Sequence, residues 1–416
     1  MTPWSERSWP VVIVGAGPAG LVLASILHRD GIPALLIERT TAEALGRTPK
    51  AGAMEQRVAR MLEREGLGAP ILPLDSENHR CEFRAPGTTV TVDYGALAGG
   101  GHVVLPQHRL VRALADAAVD AGVPVWFGHD VVEIVSDADG ATIVVTGPDA
   151  VPRELRAQVL VGADGAGSRV AAAVTDRGVG GPTAPPVVTE RRLPGRWLVV
   201  AASAPPMVGH TVYAAHPRGF AAQLRRSPDE TRYYLGVAPD EGADDWPADA
   251  IRAELAERLG FGDALRGAEI AEVGTLDLRT RVVAPMQHGP VALVGDAAHL
   301  ITPAGGKGMN LAIGDAVELA HGLVERYGPA GDPTRLARYS DTRLPVVWRT
   351  QAFSDWLLRI LSAPSPGADG TVFGDGLRRG WISALRDDPL LARWFAHAYA
   401  GVDPPDAGGT AWSADD

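Results

Sequence analysis

The first forty residues restrict this chain more than any other stretch. Val11-Val12-Ile13-Val14 is a short β-branched run, Gly15-Ala16-Gly17-Pro18-Ala19-Gly20 follows at once, and an apolar helical pattern continues from Leu21 to His28. A second apolar run, Ala34-Leu35-Leu36-Ile37, ends at Glu38. Strand, GxGxxG turn, helix and second strand closing on an acid form a dinucleotide-binding fingerprint. Its glycines permit a tight turn and close backbone approach, the helix N-terminus faces a pyrophosphate, and Glu38 can bond a ribose hydroxyl. NAD and FAD both satisfy it. The fingerprint predicts an α/β dinucleotide fold and leaves the nucleotide open.

A later stretch narrows the choice. Gly295-Asp296-Ala297-Ala298-His299 continues as Leu300-Ile301-Thr302-Pro303-Ala304-Gly305-Gly306-Lys307-Gly308-Met309-Asn310, after a buried-strand pattern at Val291–Val294 and before an apolar-periodic helix from Leu311. A strand ending in Gly-Asp frees one carboxylate, and Gly305, Gly306 and Gly308 let backbone N–H groups approach a flat, anionic or electron-accepting ligand. Two further segments belong with it. One is Gly46–Gln56, which opens a helix to about Glu65; the other is the strand Val159–Gly162, ending in Ala163-Asp164-Gly165 before Arg169. Together they resemble the motifs of the single-component FAD-dependent aromatic hydroxylases, on the 4-hydroxybenzoate 3-monooxygenase side of that family. The resemblance covers nearly the whole chain. It implies FAD as cofactor, with Asp296 on the ribityl chain and the glycine loop beside the flavin ring. The cofactor-binding residues it implies are Gly15, Gly17, Gly20, Glu38, Arg39, Arg47, Lys50, Gln56, Gln107, Asp164, Arg169, Arg279, Asp296, Pro303, Gly308, Met309 and Asn310. There is no second GxGxxG for a nicotinamide cofactor. The resemblance supplies a reason, since NAD(P)H visits such enzymes transiently and is held by scattered arginines, here Arg39, Arg169 and Arg279.

Composition removes several classes. A net charge of −11 argues against non-specific nucleic-acid binding. With one cysteine, Cys81, no disulfide framework exists and a reducing cytoplasm is the expected home. Met1–Pro10 has no apolar signal core, and Val11–Leu27 is interrupted by glycines and a proline, so no membrane segment is expected. No metal site is expected. Lysine occurs only as Lys50 and Lys307, both inside segments assigned to the flavin site. With Arg47 and the three arginines above, they would form a local cluster attracting an anionic cofactor.

The layout expected is a discontinuous FAD-binding domain (1–70, 101–181 and 277–345) and a mostly antiparallel β-sheet substrate domain (71–100 and 182–276) inserted into it. A C-terminal helical region (346–416) follows, with a Pro/Gly-rich linker at 363–370, a last helical piece at Pro389–Tyr399 and a disordered tail after Asp403.

Within the inserted sheet, Ala222, Leu224 and Arg226 fall on one face by strand alternation, and the turn at Ser227-Pro228-Asp229 can bring Arg232 and Tyr234 alongside. An arginine beside a tyrosine is a carboxylate grip. The family's substrate residues map onto Tyr213, Leu224, Arg226, Tyr234, Pro303 and Tyr399. By resemblance Tyr213 removes a phenol proton, Tyr399 bonds Tyr213, and His79 relays the proton to water, while Tyr234 and Arg226 hold a carboxylate. The sequence departs from the family at Leu224, where a serine shares that carboxylate. Losing a hydrogen bond to a charged group costs about 1.5–3 kcal/mol, enough to re-aim a small ligand.

The expected activity is NAD(P)H- and O2-dependent hydroxylation of a para-hydroxylated benzoate, 4-hydroxybenzoate or a ring-substituted derivative. A second reading is a biosynthetic enzyme of the 3-amino-4-hydroxybenzoate 2-monooxygenase type. Two others are a non-oxygenating flavin reductase or dehydrogenase and a flavin-binding protein without turnover. A flavin halogenase would need a Trp-x-Trp-x-Ile-type segment, which is missing. The resemblance also implies a homodimer.

Overall fold

A computed structural model describes residues 8–46, 52–68, 77–137, 139–180, 184–265, 267–362 and 371–401. The expected sites Arg47 and Lys50, the linker at 363–370 and the tail after Asp403 lie outside these residues.

The fingerprint folds as its apolar runs require. Ser8–Val14 lies parallel between Ala34–Glu38 and Pro152–Gly162, with Val11 opposite Ala34 and Val159, and Val14 opposite Ile37 and Gly162. A parallel strand covered on both faces has no solvent side, which is why Val11–Val14 reads as an unbroken apolar run rather than an alternation. Val125–Phe127 extends the sheet beyond Ala34–Glu38, and Val291–Leu293 extends it beyond Pro152–Gly162. The helices Pro18–Arg29 and Gly308–Tyr327 pack on each other over this sheet, so both glycine loops open at one end of it.

The second large sheet has eight strands, running His299–Leu300, Glu269–Ala284, Val187–Ser203, Thr231–Val237, Gly219–Arg225, Thr211–His216, Arg80–Ala85, Thr88–Asp93. It is antiparallel except where Thr211–His216 meets Arg80–Ala85. The sequence predicts only short strands between 182 and 276. Instead Val187–Ser203 and Glu269–Ala284 span 17 and 16 residues and pair along most of their length, so the sheet has a long spine. A helix the sequence does not announce, Ala248–Leu259, covers one face, where Leu198, Val200, Tyr233 and Leu235 meet Ile251 and Leu255. The other face carries Trp197, Tyr213, Phe220, Ala222 and Tyr234.

C-terminal helices close over that second face. Phe353, Leu357 and Leu358 of Tyr339–Leu361, and Phe395 and Tyr399 of Pro389–Ala400, join the same apolar cluster. The last helix starts where Asp388 accepts hydrogen bonds from the Leu390 and Leu391 N–H groups, with Pro389 at the first position. A further helix, Thr371–Asp387, falls inside the region expected to be helical, between the linker and the last helical piece, where no separate element is named. No helix among the described residues is long and apolar enough to cross a membrane.

Candidate active site

Two glycines of the nucleotide cleft leave no room for a side chain. Gly15 has φ +106°, and a Cβ there would lie 2.4 Å from the Ala163 carbonyl oxygen. A Cβ on Gly20 would sit 1.9 Å from the Gly15 oxygen. Glu38 is fixed at the end of its strand because its carboxylate accepts the Ala16 N–H and the Thr40 N–H, each at 2.8 Å. Gly15, Gly17, Glu38, Arg39, Gln107, Asp164 and Arg169 line one cavity of about 320 Å³. Asp164 accepts the Arg169 N–H at 2.8 Å, and burial holds its carboxyl above the usual range. His108, in the same lining, has a buried Nδ1 with no hydrogen-bond partner among the described residues. An orphaned ring nitrogen and a glycine-lined helix N-terminus fit the phosphate and ribose groups of a dinucleotide. Arg39 and Arg169 share this cleft; Arg279 stands apart, on the long strand Glu269–Ala284 of the other sheet.

The second loop is held from behind by a buried charge cluster. Gly295, at φ +59°, begins the turn that presents Asp296. Asp315 accepts the Gly295 N–H at 3.1 Å, sits 2.6 Å from His299 Nε2 and receives Arg343 Nε at 2.8 Å. Burial alone would raise the Asp315 carboxyl; His299 and Arg343 outweigh it and hold it below the usual range. Arg281 adds a hydrogen bond to the Asp296 carbonyl at 3.0 Å. Further on, Asn310 accepts the Glu55 N–H at 2.8 Å and donates to the Ala53 and Gly306 carbonyls, so its amide ties the loop together. Gln56 accepts the Gly101 N–H at 3.1 Å. Pro303, Gly308 and Met309 are half-buried, with Gly308 and Met309 in the first turn of Gly308–Tyr327.

Lys307 corrects the expected cationic cluster. Its ammonium is buried, donating at 2.8 Å to Glu55 and at 2.7 Å to the Tyr399 carbonyl. Burial lowers its pKa against the pull of Glu55. The Glu55 carboxyl lies below its usual range because Lys307 and Arg57 outweigh burial. A paired internal charge offers nothing to an anion arriving from solvent. Lys307 instead joins the glycine loop to the last helix.

That junction fixes the tyrosines. Tyr213 and Tyr399, 186 residues apart, bring their hydroxyls to 2.9 Å, both buried. Burial raises both phenols, so each is protonated at neutral pH. Phe83 stacks on Tyr213 and Phe395 on Tyr399, with centroids 5.5 and 5.1 Å apart. His79 lies exposed on the surface in a shallow depression with Arg80 and Asp93. The imidazole that reaches Tyr399 is His102, with ring centroids 4.8 Å apart. Its Nδ1 is 3.3 Å from the Tyr94 hydroxyl, and burial pushes its pKa down to about 3. Sequence reasoning misses His102 because it sits in a three-residue strand, His102–Val104, without a motif.

At the far end, strand pairing sets Ala222 opposite Tyr234 and Leu224 opposite Arg232. Arg226 lies just beyond its strand, and burial followed by Arg232 lowers its pKa to about 10, so it stays cationic. Arg232 itself is buried, and its Nε has no partner among the described residues. Two arginines and a tyrosine therefore converge where an acid is expected.

The family profile described as FAD binding domain matches residues 8–354. The p-hydroxybenzoate hydroxylase of Acinetobacter baylyi is 30% identical over 355 residues, 84% of this chain and 85% of that protein. This chain belongs to the family of single-component FAD-dependent aromatic hydroxylases. Within that family it is also 30% identical over 404 residues to the 12-dehydrotetracycline 5-monooxygenase/anhydrotetracycline 6-monooxygenase of Streptomyces rimosus subsp. rimosus, covering 95% of this chain and 76% of the relative. The solved OxyS anhydrotetracycline hydroxylase from Streptomyces rimosus superposes with a TM-score of 0.75 at 27% identity, covering 97% of this chain and 78% of that one. FAD is thus the cofactor of the glycine-lined cleft, and NAD(P)H is the usual co-substrate of the family.

Proposed function

We propose that this hydroxylase acts on a phenolic aromatic acid of the para-hydroxybenzoate type, with Tyr213 handling the phenol proton. When bound, FAD reduced by NAD(P)H activates O2 to supply the oxygen atom placed on the ring. Everything else falls to the chain. Tyr213 accepts the phenol proton as its own hydroxyl proton passes to Tyr399 at 2.9 Å, and Tyr399 in turn releases its hydroxyl proton toward water. A phenolate ring is far more nucleophilic than a phenol, so this transfer sets the rate of oxygen capture. Both tyrosines are costly to ionise in their apolar surroundings, so the pair passes a proton on rather than storing the charge. Arg226 and Tyr234 grip the carboxylate, and the apolar cluster of the sheet and last helix excludes water.

The observation that carries this reading is the Tyr213–Tyr399 pair on the sheet face turned toward the C-terminal helices. Leu224 favours a second reading beside plain 4-hydroxybenzoate. An apolar side chain opposite Arg232, where the family has a serine, removes one carboxylate partner and re-aims the acid, which suits a ring-substituted substrate such as 3-amino-4-hydroxybenzoate. A panel of hydroxy- and aminohydroxybenzoates, with the position of the new hydroxyl assigned, separates the two. Tyr213→Phe should lower hydroxylated product at least tenfold while NAD(P)H oxidation continues; an unchanged yield removes Tyr213 from the mechanism.

A further inference from the structure

Between the second sheet and the helix Tyr339–Leu361 lies another cavity, of about 650 Å³, separate from the nucleotide cleft. That volume is in the range that houses small organic ligands. Its walls are aromatic. Trp197 and Phe220 stack with centroids 4.3 Å apart, and Trp246 lines the cavity as well. The Trp246 indole N–H is buried without a hydrogen-bond partner among the described residues. Buried indole donors normally find an acceptor, so an orphan beside a cavity suits a ligand that brings one.

The rim is cationic. Arg191 and Arg359 both pair with Asp355, and Arg218 and Arg258 both pair with Glu254. Each carboxylate is shared by two guanidiniums. Adding Arg196 with its partner Asp277, and the lining residue Glu241, still leaves five arginines against four carboxylates. On a chain of net charge −11 this is a local reversal of sign, and positive charge around low-dielectric walls concentrates anions.

We propose that this cavity is a second binding site, for a planar aromatic carboxylate lying between Trp246 and the wall formed by Trp197 and Phe220, with its carboxylate on the rim arginines. The Trp197 ring also touches Tyr234, with centroids 5.5 Å apart. The site does not depend on which phenol is hydroxylated.

The test uses FAD-loaded enzyme and 2-naphthoate as probe. Equilibrium dialysis counts all bound naphthoate, while the flavin difference spectrum counts only what binds beside the flavin. At saturation, dialysis should find one mole per chain more than the flavin reports. Trp246→Leu and Arg359→Glu, the latter at a side chain 72% exposed, should each weaken this spectrally silent binding at least tenfold with FAD content unchanged. Naphthoate wholly accounted for at the flavin, no naphthoate bound, or silent binding that persists in either variant overturns the proposal. Failure to hydroxylate the benzoate panel would leave the dialysis count untouched, so the two readings fail separately.

Discussion

At the scale of single residues, the Lys307–Glu55 pair is the strongest constraint on the site. Removing one partner of a buried ion pair strands the other charge and costs about 3–5 kcal/mol. Lys307→Met should lower unfolding stability by that order in denaturant melts, and adding Glu55→Gln should recover much of the loss. The same pair sets an acid limit. The Glu55 carboxyl is depressed in the folded state, so its contribution is full above the unfolded value and lost as pH falls through the folded one. The stability of the wild type should therefore drop below about pH 4.5, the ordinary glutamate range, more steeply than that of Lys307→Met/Glu55→Gln, as read from denaturant midpoints against pH. His102, pushed down to about 3, takes up its proton only near the acid end and adds its own loss of stability as pH falls toward that value, in wild type and variant alike.

At the scale of elements, the helix Pro389–Ala400 carries Tyr399 into the site and depends on its start signal. Asp388→Ala removes the acceptor for two backbone N–H groups and should cost roughly 1 kcal/mol, read as a lower midpoint in thermal melts. The glycine turn is less forgiving. Gly20→Ala would drive a Cβ to 1.9 Å from the Gly15 oxygen, beyond what side-chain rearrangement can relieve. Purified Gly20→Ala protein should carry less than a tenth of the wild-type flavin-to-protein absorbance ratio. Both turns are legible from sequence, because a backbone position that excludes a Cβ announces itself as glycine. The helix Ala248–Leu259 is not. It falls in a stretch that otherwise reads as short strands, so local composition argues against it.

Over the whole molecule, Arg343 on the helix Tyr339–Leu361 reaches Asp315, and through it the Gly295 turn that presents Asp296. Flavin site and C-terminal helices are thereby one mechanical unit. A ligand that binds only the folded state stabilises it by about 2.7 kcal/mol at a hundred times its Kd. FAD at that excess should raise the unfolding midpoint of stripped protein. Arg343→Met should shrink the shift by weakening the cofactor site, while binding of 2-naphthoate at the second cavity stays unaffected.

The sequence alone determined the dinucleotide fold, the two glycine loops and the acids that end their strands. Those features answer to local rules: φ, Cβ exclusion, and the register of apolar residues along one element. It also placed Ala222 and Leu224 on one strand face, because alternation is local too, whereas Arg226, expected on that face, lies just beyond the strand end at Arg225. The resemblance already paired Tyr213 with Tyr399; only the tertiary structure decided that Lys307 is sealed against Glu55 and that His102 stands against Tyr399. Each of these contacts joins elements distant in sequence, and which side chains meet depends on how sheets and helices pack, a choice no single segment encodes.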